Sequence, residues 1–354
     1  MAKTVDGRVA YADLLRVLAT FGVVVIHVCS IWFYDVGVSS AAWSVYNVYD
    51  GLVRWCVPLF VMLSGMFMLD PKKGLTLPGL FFRNILRVFS ALVVWGALYA
   101  IADFGRVGGR FTWDGILSAL RSALLGNTHY HLWFLYVILG LYLVTPILRA
   151  FVRGAGRRDF HYFFILCFVV AFLLPTLLQF RPSQTVSTYL ARLNLHMVMG
   201  YVGFYVAGYY LRTYSLGRLA EVIIYILGVA GGAATVWGTS ALSQKTGSLV
   251  GTLYDYMTPN VAAMAVAVFV LFRYLLAVSD ERGRRRSLAG LAKVTFGIYL
   301  VHDFFITLFR HFGLTALPIP PVAAVPLMTA LVFLCSFAAA WVIGRIPFVG
   351  KYLT

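Results

Sequence analysis

The feature that most constrains this chain is a succession of apolar stretches, each about twenty residues long, cut apart by short clusters of glycine, proline and charge. No single water-facing core can hide that much apolar surface. Of the 354 residues, 61% are hydrophobic and 12% charged, where soluble domains run at roughly 45–50% and about 25%. A backbone crossing lipid must satisfy its own hydrogen bonds, so the expected fold is all-α: a polytopic membrane helical bundle of about ten transmembrane helices. The segments fall at roughly 14–34, 51–69, 84–103, 131–150, 160–179, 196–212, 220–240, 257–278, 290–311 and 322–344. Loops reach only about 15–27 residues, short for a second domain, and no internal repeat or heptad is evident. Residues 1–354 therefore read as a single integral-membrane domain.

Charge sets the orientation. The net charge of +16 comes from 29 Lys and Arg against 13 Asp and Glu. The first apolar run follows Lys3 and Arg8 without a small-residue cleavage site, so it reads as a retained span with the amino terminus in the cytoplasm. That assignment puts 21 of the 29 basic residues on the inner side and leaves Arg54, Arg106, Arg110, Arg121, Arg181, Arg192, Lys245 and Arg310 outside. The split satisfies the positive-inside rule for a multi-pass protein of the inner (plasma) membrane with both termini cytoplasmic. The run ERGRRRS at 281–287 reads as an anionic-lipid and topology anchor, so no nucleic-acid partner is expected. Cys29, Cys56, Cys167 and Cys335 lie in apolar runs without metal-ligand spacing and read as core residues. Residues 104–130 read either as an interfacial helix or as an ordinary outer loop.

Ionisable side chains inside a bilayer are costly, which makes them candidates for function. In the first segment Arg16 and His27 are eleven residues apart, about three helical turns and roughly 16 Å, so they lie near one face with His27 near the midplane. Arg16 alone also fits a snorkelling, positive-inside arginine, and His27 alone fits an interhelical hydrogen bond. His302 and Asp303 in the ninth segment lie at a depth similar to that of His27. His129 and His131, before the fourth segment, suggest a metal through H-x-H, but with no third ligand or carboxylate cluster in view they read as outer-face groups beside Trp133.

Spaced in this way, basic residue, ten residues, then histidine, the first segment resembles that of the integral-membrane acyltransferase family 3, and within it the surface-polysaccharide O-acyltransferases. Further blocks follow in order. VPLFVMLSGMFML at 57–69, with Pro58, Phe60, Ser64 and Gly65, resembles the family's second-span pattern, and LFFRNILRVF at 80–89 resembles its basic motif. HLWFLYVILGLYLVTPIL at 131–148 is similar to its fourth-span block, and FGIYLVH at 296–302 to its late Tyr-Leu-x-His. The basic motif departs from the family's in one respect: Asn84 follows Arg83, and the next arginine is Arg87.

The resemblance implies ten spans and transfer of an acetyl, or other short acyl, group from cytoplasmic acyl-CoA to a hydroxyl of a surface polysaccharide or lipid-linked (polyprenyl-linked) glycan. Imidazole, with an unperturbed pKa near 6.5, suits the removal of a hydroxyl proton. His27 is therefore the expected general base, or less readily an acyl-carrying nucleophile, with Asp303 or His302 orienting it. Arg16, Arg83 and Arg87, all at inner ends, are expected to hold the phosphates of coenzyme A, with Ser64 and Gly65 letting the pantetheine arm pass; close helix packing explains Ser64 and Gly65 equally well. His131, Trp133 and Arg54 are expected to contact the acceptor. No metal is expected, and acyl-CoA enters as donor substrate. A second reading is a transporter with Arg16, His27 and Asp303 as its proton or substrate pathway, though no inverted repeat of broken helices supports it.

Overall fold

The computed structural model describes residues 9–106, 112–126, 128–195, 200–276, 286–316, 318–347 and 349–354. Every regular element among them is helical. In chain order these are α1 (Ala10–Phe33), α2 (Ala41–Val53), α3 (Cys56–Met68), α4 (Leu86–Arg106), α5 (Trp113–Leu124), α6 (Trp133–Gly154), α7 (Arg157–Cys167), α8 (Leu174–Phe180), α9 (Gln184–Leu193), α10 (Val202–Thr213), α11 (Arg218–Ala233), α12 (Thr239–Thr246), α13 (Pro259–Leu271), α14 (Arg286–His311), α15 (Pro321–Ile343) and α16 (Val349–Leu353). Among the described residues nine helical stretches are long and apolar enough to cross a membrane, which makes this a multi-pass helical bundle. The sixth expected segment, 196–212, is represented by α10, whose 12 residues span only about 18 Å; residues 196–199 lie outside the described set.

The second span differs from expectation in a way that matters for the site. It begins ten residues before the expected start at 51, runs Ala41–Met68, and is built from α2 and α3 end to end. The hydropathy scan stopped at Asp50 because a lone carboxylate is expensive in lipid. The structure pays for it with a partner: Arg54 Nε lies 2.5 Å from Asp50 Oδ1, one helical turn away, and the guanidinium sits 4.2 Å from the Tyr254 ring. Arg54, expected at an outer helix end, is thus inside the span at the α2–α3 junction, because its charge is neutralised there.

The interior is organised round α1, α2–α3 and α14. Each of these spans has more than half of its most apolar window buried, whereas Arg157–Phe180 and Arg218–Thr246 have 22% and so face outward. The tightest joint is between α3 and α10. A Cβ on Gly65 would fall 1.8 Å from the Tyr205 carbonyl oxygen, and one on Gly208 1.8 Å from that of Met62. The two helices therefore touch backbone to backbone through reciprocal glycines, the small-residue packing that replaces the hydrophobic effect in lipid. Residues 113–124 form the amphipathic helix α5, capped by Thr112 and packed on α4. Of the basic run 281–287, residues 281–285 lie outside the described set, and Arg286 and Ser287 open α14.

Candidate active site

His27 lines two adjoining cavities, and a third lies beyond the smaller of them. A chamber of about 990 Å³ on one side of it is lined by Asp50, Arg54, Asp103, His129, Tyr130, Trp133, Tyr256 and Asp303 together with His27. A vestibule of about 610 Å³ on the other side is lined by Arg16, Ser64, Arg83, Asn84, Arg87, Lys293 and Lys351. Between them lies a neck of about 40 Å³. The neck shares Ile26, His27, Trp133 and Tyr256 with the chamber and Phe60, Phe134 and Tyr299 with the vestibule. These shared walls make one track through the bundle.

Local structure explains how four of the seven histidines gather at that point. The turn Tyr130–Leu132 that opens α6 folds inward and is pinned to α14 at two places. The Tyr299 hydroxyl donates to the His131 carbonyl at 2.5 Å, and the Tyr130 hydroxyl donates to Asp303 Oδ1. Tyr99 of α4 adds a third tie, donating to the Leu300 carbonyl at 2.8 Å and accepting from the Phe304 N–H at 3.2 Å. Its hydroxyl sits in the helical ladder of α14 beside His302 and Asp303, a side-chain insertion of the kind that bends helices. The His27 ring centroid ends 4.9 Å from that of His302 and 6.3 Å from that of His131. His131 and His302 are buried, and the Nε2 of each has no hydrogen-bond partner among the described residues.

The structure redistributes the expected partners. His131, expected at the outer face, is buried against His27 because its turn is drawn in by Tyr299 and Asp303. Asp303 lies by His129 instead of orienting His27 directly: Oδ2 is 3.3 Å from His129 Nε2, while Tyr130 occupies Oδ1. His302 is the expected partner that packs on His27. Arg54 lines the chamber but is held by Asp50, and Trp133 stacks on Tyr256 at 5.8 Å.

At the other end Arg16, Arg83, Arg87 and Ser64 do share one cavity. Arg16 lies 3.3 Å from Asp13, and Arg87 donates to the Thr354 carbonyl at 2.5 Å. Ser64 hydrogen-bonds Tyr142. Asn84 lines the same vestibule.

Sequence reading missed Asp50, Asp103 and Tyr256 as chamber residues, and set His129 aside. One signal was available: Asp50 and Arg54 stand at i, i+4 in an apolar setting, the spacing of a helical ion pair. The third group whose apparent absence counted against metal at His129 and His131 is Asp303; one ligand-type atom from each of the three lies within 4.8 Å of the others.

The sequence model of an acyltransferase domain matches residues 9–343, nearly the whole chain. The chain belongs to acyltransferase family 3. No curated protein and no solved structure matches it. Membership decides between transfer and transport, since the multi-pass bundle belongs to a membrane acyltransferase. What the acyltransferase domain adds to the geometry is a reason for two cavities: group transfer needs a donor and an acceptor to meet, and His27 lines both the chamber and the neck that adjoins the vestibule.

Proposed function

We propose that this acyltransferase moves an acetyl or other short acyl group from acyl-CoA in the vestibule to a hydroxyl of a surface polysaccharide or lipid-linked glycan in the chamber, with His27 as general base. The observation that carries the proposal is the shared lining: vestibule, neck and chamber follow one another through His27, Phe60, Phe134 and Tyr299. The vestibule presents Arg16, Arg83, Arg87, Lys293 and Lys351 and no carboxylate among its described lining residues, which suits the phosphates of coenzyme A. Positive-inside reasoning makes this the cytoplasmic end, with both termini on that side of the plasma membrane. The neck, at about 40 Å³, has room for about three waters at the ~10–15 Å³ each needs, a size that favours acetyl over longer chains.

In the proposed reaction the acceptor oxygen attacks the thioester carbonyl while His27 takes the hydroxyl proton. The carbon–sulfur bond then breaks, and the proton passes from His27 to the departing thiolate. His302 is placed to orient His27: its Nδ1 meets the Tyr299 carbonyl at 2.6 Å, which assigns the proton to Nδ1 and leaves Nε2 as a lone pair beside the His27 ring. Trp133 and Tyr256 offer a flat face for a sugar, and His131 and Arg54 border the acceptor's path.

The test is acetyl-CoA turnover by purified protein in liposomes, comparing wild type with His27→Ala and Arg16→Ala. Expected are loss of transfer with donor binding retained for the first, and weakened donor binding for the second. Wild-type rates in both variants would overturn the proposal.

A further inference from the structure

Asp303, His129 and His131 form a chain whose tautomers can be read from the hydrogen-bond network. Both oxygens of Asp303 are engaged, Oδ1 by the Tyr130 hydroxyl and Oδ2 by His129 Nε2 at 3.3 Å. A carboxylate accepts, so in neutral His129 the proton belongs on Nε2 and Nδ1 is bare. That bare nitrogen lies 2.9 Å from His131 Nδ1. His131 must then donate through Nδ1, which leaves its own Nε2 as a lone pair. This atom is buried and unpartnered, and His131 lines the neck next to His27. His302, with its proton fixed on Nδ1 by the Tyr299 carbonyl, likewise presents a buried, bare Nε2. His27 is thus flanked by two imidazoles that can accept a hydrogen bond but not give one at the facing atom. An orphaned buried nitrogen is a cost to the resting protein, and two of them around one histidine need a use.

We propose that Asp303, acting through His129 and then His131, is a relay that steadies the imidazolium of His27 when that residue holds the acceptor's proton. Neutral His27 has one N–H to give and leaves one of the two lone pairs unmet. Protonation adds a second N–H, which faces the acceptor it came from, and makes the first a charged and stronger donor to the lone pair of His131, directly or through one bridging water. The relay places the negative charge of Asp303 behind His131, so the site favours the charged intermediate over the resting state, the differential binding that accelerates a step. No atom beyond those of the proposed transfer is consumed. The proton that His27 takes is the one it returns to the thiolate, and His129 and His131 are positioning residues. This inference rests on the proposed role of His27.

The experiment uses the full chain in liposomes and measures kcat and donor KM for wild type, His129→Phe, Asp303→Asn, the double variant, and Asp103→Asn. The last alters a carboxylate 3.6 Å from His129 but about a third exposed. Expected for each relay variant is a kcat roughly ten- to a hundred-fold lower, below the full 10²–10⁴ of removing a general base, with donor KM within about twofold. The double variant should be no slower than the slower single one, because groups acting as a chain are non-additive. Histidine ¹⁵N spectra should show His131 protonated at Nδ1. Additive losses, wild-type kcat in His129→Phe, protonation of His131 at Nε2, or a stoichiometric metal bound through His129, His131 and Asp303 would each overturn the relay. An inactive wild type would instead refute the acyl-transfer reading, and a variant that no longer binds donor would be replaced by His129→Gln, judged by the same kcat test.

Discussion

The chamber and the vestibule, which adjoin through the neck beside His27, lie within one bundle and differ in almost every chemical respect. The vestibule carries Arg16, Arg83, Arg87, Lys293 and Lys351 with no carboxylate among its described lining residues. The chamber carries Asp50, Asp103 and Asp303 against Arg54 and Arg310, with His27, His129 and an aromatic wall. In the vestibule the cations would suit the anionic donor proposed above. In the chamber Arg54 is already matched, bonded to Asp50 and lying 4.2 Å from Tyr254. The contrast teaches that the charge excess of +16 is more than a topology signal: several of its cations are gathered round one cavity, while the other mixes carboxylates with arginines.

The largest expected effect breaks the balance of the chamber. Arg54→Gln leaves Asp50, which is only 3% exposed, as an uncompensated charge, at a cost of about 3–5 kcal/mol. A fall in thermal unfolding temperature and in folded yield measures it. Asp50→Asn combined with Arg54→Gln should recover most of the loss, because the stranded charge is gone. Failure to recover would mean that the contacts of Arg54 with the Tyr254 and Tyr256 rings, and not the stranded carboxylate, carry the stability.

Next in size is separation of the cavities. Val57 lines the neck, and Val57→Phe puts an aromatic ring into its narrow wall. Transfer should fall by about a hundredfold, the order of loss that follows misplaced reacting groups, while equilibrium binding of coenzyme A in the vestibule stays within about twofold. Unimpaired transfer would show that acyl groups do not pass by this route. Smaller again is loss of one vestibule cation. Arg87→Gln removes a charged hydrogen-bond donor of about 1.5–3 kcal/mol, so donor KM should rise roughly ten- to a hundred-fold with kcat little changed, whereas the same change at Arg54 should leave donor KM alone.

How much of this was legible in the sequence follows from the physics of each element. Hydropathy located the spans because lipid imposes a length, and it failed at Asp50 and Arg54, where a buried pair hides its own charge. The spacing of Arg16 and His27 carried their separation along α1, since helical rise is fixed. Their partners were harder: His302 packs on His27, but nothing in HYH at 129–131 says that the turn folds inward, because Tyr299 and Asp303 pull it there from more than 160 residues away. Ser64 and Gly65 read equally as a passage for substrate or as helix packing. In the structure Gly65 abuts Tyr205, which is packing, while Ser64 lines the vestibule.

The smallest expected effect tests whether the balance of the chamber lies deep or at its exposed rim. Arg310 also lines the chamber and pairs with Asp35 at 3.9 Å, but both side chains are more than 60% exposed. An exposed pair gains little Coulomb energy in water and costs side-chain entropy, so Arg310→Gln should change stability by at most about 0.5 kcal/mol and leave donor KM unaltered. The same substitution thus gives opposite outcomes at two cations of one cavity, decided by burial alone. If Arg310→Gln weakened the acceptor step while the Asp50→Asn, Arg54→Gln double variant worked normally, recognition would lie at the rim. The chamber would then resemble the vestibule, with a usable cation facing its guest.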